Sequence, residues 1–94
     1  MKFMMTYALK QETRDAAIAR FLKTGAQPSK DVTLLGRWHR LDFSGGFLLL
    51  ESTDSKAMAT FSSEWSDVCD LAVVPVNEDA ELAEVLGALK KKKK

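Results

Sequence analysis

The only histidine of the chain, His39, stands two residues after Arg37 on a stretch that alternates like a β-strand, so both side chains share one face. An imidazole beside a guanidinium can hold a small carboxylate or polarise a carbonyl group. Glu51 lies across the hairpin that this stretch opens, and Tyr7, on an earlier strand, could bring a hydroxyl to the same place. These four residues are the candidates for catalysis. The plainer reading is a histidine held by its neighbours on an edge strand, an Arg37–Glu51 ion pair and a core tyrosine, because no second acid or base is fixed by spacing. Trp38 and Trp65 are candidates for lining a ligand cavity between sheet and helices, although such side chains more often anchor a core or an interface.

Other chemistries are poorly supplied. Cys69 is the only cysteine, so the fold has no internal disulfide, and its place before an apolar run reads as a small buried hydrophobe rather than a reactive thiol. One histidine, one cysteine and scattered aspartates lack the usual ligand spacings, and neither a metal nor a cofactor is expected. There is no phosphate loop, nucleophile elbow or dinucleotide fingerprint, and Gly45-Gly46 is accounted for by a hairpin.

That hairpin, Val32 to Ser52, organises the rest. A turn at Phe43-Ser44-Gly45 with Gly45 in the left-handed position would pair Asp42 with Gly46, His39 with Leu49 and Arg37 with Glu51. The Arg–Glu pair favours this register and puts Arg37 and Glu51 on one face. Before it, Lys2 to Leu9 alternates as a strand, and Glu12 to Thr24 has helical period. Ala17, Ile18, Phe21 and Leu22 form the stripe of that helix, Arg14, Asp15, Arg20 and Lys23 face water, and Gly25 stops it. After the hairpin, Asp54 caps a helix from Ser55 to about Ser66 with Met58, Phe61 and Trp65 on its core side. Leu71 to Val76 is a fourth strand, and Pro75 puts it at an edge. Asn77 is expected to cap a third helix whose buried stripe is Leu82, Val85, Leu86 and Leu89.

Strand, helix, strand, strand, helix, strand, helix is an α+β order: a ferredoxin-like βαββαβ unit over residues 1–89 with one helix appended. Right-handed crossovers put strands one and three at the centre of an antiparallel sheet and both crossover helices on one face. Strands one, three and four are apolar on both faces, so the face without helices needs a cover. The simplest cover is a second copy, and a homodimer packed through the open sheet face is expected.

Composition narrows the partners. Hydrophobic residues are 46% and charged residues 29%, an ordinary globular balance. Five of the 14 basic residues form the run Lys90 to Lys94, read as a solvated tail; residues 1–89 carry nine basic and 13 acidic groups, a net of −4. An acidic body is a poor nucleic-acid surface. No apolar run approaches the ~20 residues of a membrane helix, Met1 to Leu9 lacks the pattern of a signal peptide, and a cytoplasmic protein is expected.

Met1-Lys2-Phe3-Met4, Arg14-Asp15-Ala16-Ala17-Ile18-Ala19-Arg20-Phe21, Leu35-Gly36-Arg37-Trp38-His39, Gly46-Phe47 and Trp65-Ser66-Asp67 together resemble a family of small bacterial proteins classed as a domain of unknown function. The resemblance covers nearly the whole chain except the lysine tail. It implies membership of the dimeric α+β barrel superfamily and hence a face-to-face dimer. By analogy with the monooxygenases of that superfamily, it also implies a small apolar or aromatic ligand between sheet and helices, handled by a cofactor-free oxidase or a haem enzyme. No residue here matches a haem ligand of those enzymes. A non-catalytic regulatory or structural dimer is the alternative. An RNA-binding module of the same strand order would need more than the single aromatic of Gly46-Phe47-Leu48-Leu49-Leu50 and a basic surface.

Overall fold

The computed structural model describes residues 1–92. The elements are β1 (Lys2–Leu9), a 3-10 turn (Gln11–Thr13), α1 (Arg14–Thr24), β2 (Thr33–His39), β3 (Gly45–Glu51), α2 (Ser55–Ser63), β4 (Cys69–Val76) and α3 (Asp79–Lys92). The sheet runs β2-β3-β1-β4 with every pairing antiparallel. The two apolar strands therefore hold the centre, and the charged β2 and the Pro75-bearing β4 the edges, as the order of elements predicts. This is an α+β fold: one open four-stranded sheet and three helices. Among the described residues no helix is long and apolar enough to cross a membrane.

One face of the sheet carries the core. Met5, Leu48 and Leu50 pack with Val32, Met58 and Phe61, all buried, while Ala17, Val68 and Cys69 form a second buried cluster. The two crossover helices thus meet the same face. Asp54 caps α2 as its residue type predicts, its carboxylate accepting from the N–H groups of Lys56 (2.9 Å) and Ala57 (3.1 Å). The helix ends at Ser63, earlier than its apolar period suggests. The Ser63 hydroxyl donates to the Thr60 carbonyl (3.0 Å) and the Ser66 hydroxyl to that of Ser63 (3.0 Å), competition that favours turns over helix. Trp65 consequently lies in the turn beyond α2. In α1 the left-handed stop at Gly25 (φ 71°) is present, its N–H donating to the Phe21 carbonyl (2.8 Å).

The hairpin corrects the predicted register. Arg40 N–H donates to the Gly45 carbonyl (2.8 Å), enclosing a four-residue loop, and Phe43 rather than Gly45 takes the positive φ (61°). The Asp42 carboxylate organises this loop by accepting from the Ser44 N–H (3.0 Å) and hydroxyl (2.6 Å). His39 pairs with Gly46 and Arg37 with Leu48, while Glu51 faces Thr33 across a bulge between Leu34 and Gly36. Because the slip from the expected pairing is an odd number of residues, Arg37 and Glu51 fall on opposite faces. Arg37 joins the core side; Glu51 joins the open side, 3.8 Å from Lys2 Nζ.

The open face follows by alternation: Met4 and Thr6 on β1, Phe47 and Leu49 on β3, Trp38 on β2, Val74 and Val76 on β4. Trp38, Phe47 and Val74 are exposed there. The expectation of an apolar face lacking helices holds for the single chain.

Helix α3 departs from expectation. Leu82, Val85, Leu86 and Leu89 are each about half exposed rather than buried, and the helix projects from a molecule measuring 57 × 29 × 18 Å. Its cap is Glu78, not Asn77: the Glu78 N–H donates to the Glu81 carboxylate (2.8 Å) and Leu82 N–H to the Glu78 carbonyl (3.0 Å). Local capping and acidic residues in the first turn suffice to form the helix, but among the described residues no groove of the chain receives its stripe. Helix α3 continues through Lys92, into the lysine run; Lys93 and Lys94 lie outside the described residues.

Candidate functional site

Between the core face of the sheet and α1 lies an open cavity of about 590 Å³. Met5, Tyr7, Leu48 and Leu71 make its floor, and Ala17, Ile18, Phe21 and Leu22 its roof. This explains why the α1 stripe is less buried than a core stripe: Ile18 is exposed and Leu22 is 77% exposed, because the helix arches over space instead of resting on strands. Phe61 and Trp65 also line the cavity. The size suits a molecule of several rings or a medium chain.

One corner of the cavity is polar, and the sheet register builds it. Tyr7, Gly46 and His39 stand in one row across β1, β3 and β2. Gly46 has no side chain to fill the middle of the row, so the Tyr7 hydroxyl reaches across β3 to His39 Nδ1, 2.5 Å away. Burial pushes the Tyr7 phenol up from its ordinary range, so it stays protonated at neutral pH. The hydroxyl and Nδ1 share one hydrogen bond whose direction follows the imidazole tautomer, and Nε2 is left free. The ring is fixed edge-on between Tyr7 (centroids 5.9 Å apart) and Phe21 (5.5 Å).

Arg37 stands next along β2 on the same face. Its guanidinium donates to the carbonyls of Ala26 (2.8 Å) and Gly25 (3.0 Å) and lies 5.1 Å from the Phe21 ring centroid. It therefore ties the C-terminal end of the roof helix to the sheet, where an ion pair with Glu51 was expected. At the mouth, Arg14 lies 6.0 Å over the ring of Phe43.

Arg20, expected to face water, anchors the other side of the roof. It donates twice to the Asp67 carboxylate (2.9 and 2.7 Å) and once to the Glu64 carbonyl (2.9 Å), with its guanidinium 5.3 Å from the Trp65 ring centroid. The paired guanidinium holds the Asp67 carboxyl below the usual carboxylate range. Cys69 is buried, and desolvation pushes its thiol up, in keeping with its reading as an inert small hydrophobe.

Of the six site residues proposed from sequence, Tyr7, Arg37, His39 and Trp65 line this one cavity. Glu51 and Trp38 are on the opposite face. Sequence reasoning missed Phe21, Arg14 and Phe43 as cavity residues. An aromatic in a polar hairpin loop, as in Asp42-Phe43-Ser44, was the available signal, since water gives it no reason to be there. Among the described residues no group of three or more His, Cys, Asp or Glu side chains is placed to hold a metal ion.

The chain belongs to the family described as Domain of unknown function (DUF3303), whose model it matches over residues 1–90. No curated protein and no solved structure matches it.

Proposed function

We propose that this member of the family binds a small apolar or aromatic molecule in the cavity between the sheet and α1, with the Tyr7–His39–Arg37 corner orienting its polar end. The carrying observation is the cavity itself: about 590 Å³ of apolar space with hydrogen-bonding groups gathered at one corner. A collapsed core would have seated Ile18 and Leu22 on the strands. The reading takes the chain as a ferredoxin-like unit of the dimeric α+β barrel superfamily, supported by the central β1 and β3 and the uniformly antiparallel sheet.

In this reading two copies pair through the open sheet face. Trp38, Phe47 and Val74, all exposed, support a partner there, since apolar patches of this kind mark interfaces. The half-exposed stripe of α3 supports the same partner. Acidic Asp79, Glu81 and Glu84 at one end and basic Lys90 and Lys91 at the other suit an antiparallel pair of α3 helices about a twofold axis.

The test uses N-phenyl-1-naphthylamine, which fluoresces when it leaves water for an apolar site. The expected outcome is saturable enhancement near one dye per subunit, lost in Ile18→Trp, whose larger ring fills the cavity. Equal enhancement in Ile18→Trp would place the dye elsewhere, for instance on the open sheet face, and sink the reading.

A further inference from the structure

The charge around the cavity is opposite to that of residues 1–89 taken together. Residues 1–89 carry 13 acidic and nine basic groups, yet no aspartate or glutamate lines the cavity, while Arg14, Arg37 and His39 all do. Neither Arg14 nor Arg37 has a carboxylate partner within 4.0 Å among the described residues. The other arginines differ: Arg20 is paired with Asp67 and Arg40 with Asp42. An acidic body that leaves two guanidinium groups unpaired at one apolar cavity sets a positive potential where a ligand would enter.

The hydrogen-bonding pattern points the same way. The Tyr7 hydroxyl and His39 Nδ1 occupy one another, which leaves Nε2 as the free nitrogen of the imidazole. Arg37 uses two of its N–H groups on the Ala26 and Gly25 carbonyls and keeps the rest. Arginine N–H groups only donate, so the nitrogens left free on Arg14 and Arg37 all present hydrogens. A ligand head with hydrogens of its own to donate finds poor complements among them; one that only accepts is matched, and a negative one is matched twice over.

We infer that the natural ligand is an organic anion: an apolar or aromatic body carrying a carboxylate or equivalent acidic oxygen group, its head lodged among Arg14, Arg37 and His39 with its body under α1. The inference rests on the proposed function, which supplies the cavity as a binding site, and adds the charge of the occupant.

Calorimetric titration of the full chain with three compounds sharing one ring system separates the two claims. They are 2-naphthylacetate, its neutral amide and 2-naphthylethylamine. The expected order is acid first, at least fivefold tighter than the amide, with the cation weakest. In Arg14→Gln/His39→Gln the ratio of acid to amide affinity should fall toward one, with far-UV circular dichroism showing that the variant is folded. If acid and amide bind alike to the parent, the anion preference is overturned and the cavity reading survives. Binding of none of the three would overturn both. Should the double variant not fold, the acid-to-amide ratio of the parent decides the matter alone.

Discussion

A methyl group added at Gly46 would overlap the carbonyl oxygen of Trp38 and stand 2.6 Å from the Tyr7 ring. The glycine is needed here for close approach, because its φ is not left-handed. Gly46→Ala should therefore push Tyr7 off His39 and cost about 1–3 kcal/mol in urea unfolding, the usual penalty for overfilling a packed site. A change of a few tenths would show that the row across β1, β3 and β2 has slack. Asp67 makes a different prediction. Its carboxyl, lowered by Arg20, takes up a proton less readily folded than unfolded, so the pair stabilises the fold above the ordinary carboxylate range near ~3.9. That contribution disappears as pH falls below ~4 toward the depressed folded value. Asp67 is exposed and Arg20 half-buried, so the effect is small and screened by salt. Asp67→Asn should melt below the parent at pH 7, with the gap closing under pH 4; a gap independent of pH would mean that the ion pair is not its source. At this scale the identities of Tyr7, His39, Arg37 and Trp65 were readable as chemically able residues. Their convergence was not, because it depends on which residues stand opposite each other across strands.

At the scale of elements, the hairpin shows where local rules stop. Gly45 invited a three-residue turn, yet the Asp42 side chain stabilised a longer one, with Phe43 in the left-handed region at a cost on the order of 1–2 kcal/mol. Gly45 serves another need: a Cβ there would overlap the Tyr7 carbonyl oxygen on β1. An apparent Arg37–Glu51 match of at most ~1 kcal/mol could not outweigh burial of Leu48 and Leu50, which decides the register. Helix α3 gives the complementary lesson. Its period, caps and charge order predicted a helix, and there is one; its burial required a surface that this subunit lacks. Leu86→Glu should leave the helical circular-dichroism signal within a few per cent of the parent while weakening self-association in sedimentation velocity. A large loss of folded signal would mean that the stripe is buried on its own subunit after all.

At the scale of the molecule, two apolar surfaces are left without partners, the open sheet face and the α3 stripe, on a chain whose core clusters are small. A second copy covering both would add the buried area that a domain of this size needs. Sedimentation equilibrium at micromolar concentration should return twice the subunit mass, and Leu49→Lys on the open face should return the single mass; a monomeric parent would contradict the pairing. Strand and helix order, the central and edge places of the strands, the helix-free apolar face and the buried cysteine were all determined by the sequence itself. Period, charge placement and the missing amide hydrogen of proline are properties of a short stretch, and a short stretch displays them without help. The hairpin register, the opposite sides taken by Arg37 and Glu51, the space left beneath α1 and the unburied stripe of α3 were decided only in three dimensions. Each depends on whether two distant surfaces meet closely enough to exclude water, and that is a property of the pair and of neither segment alone.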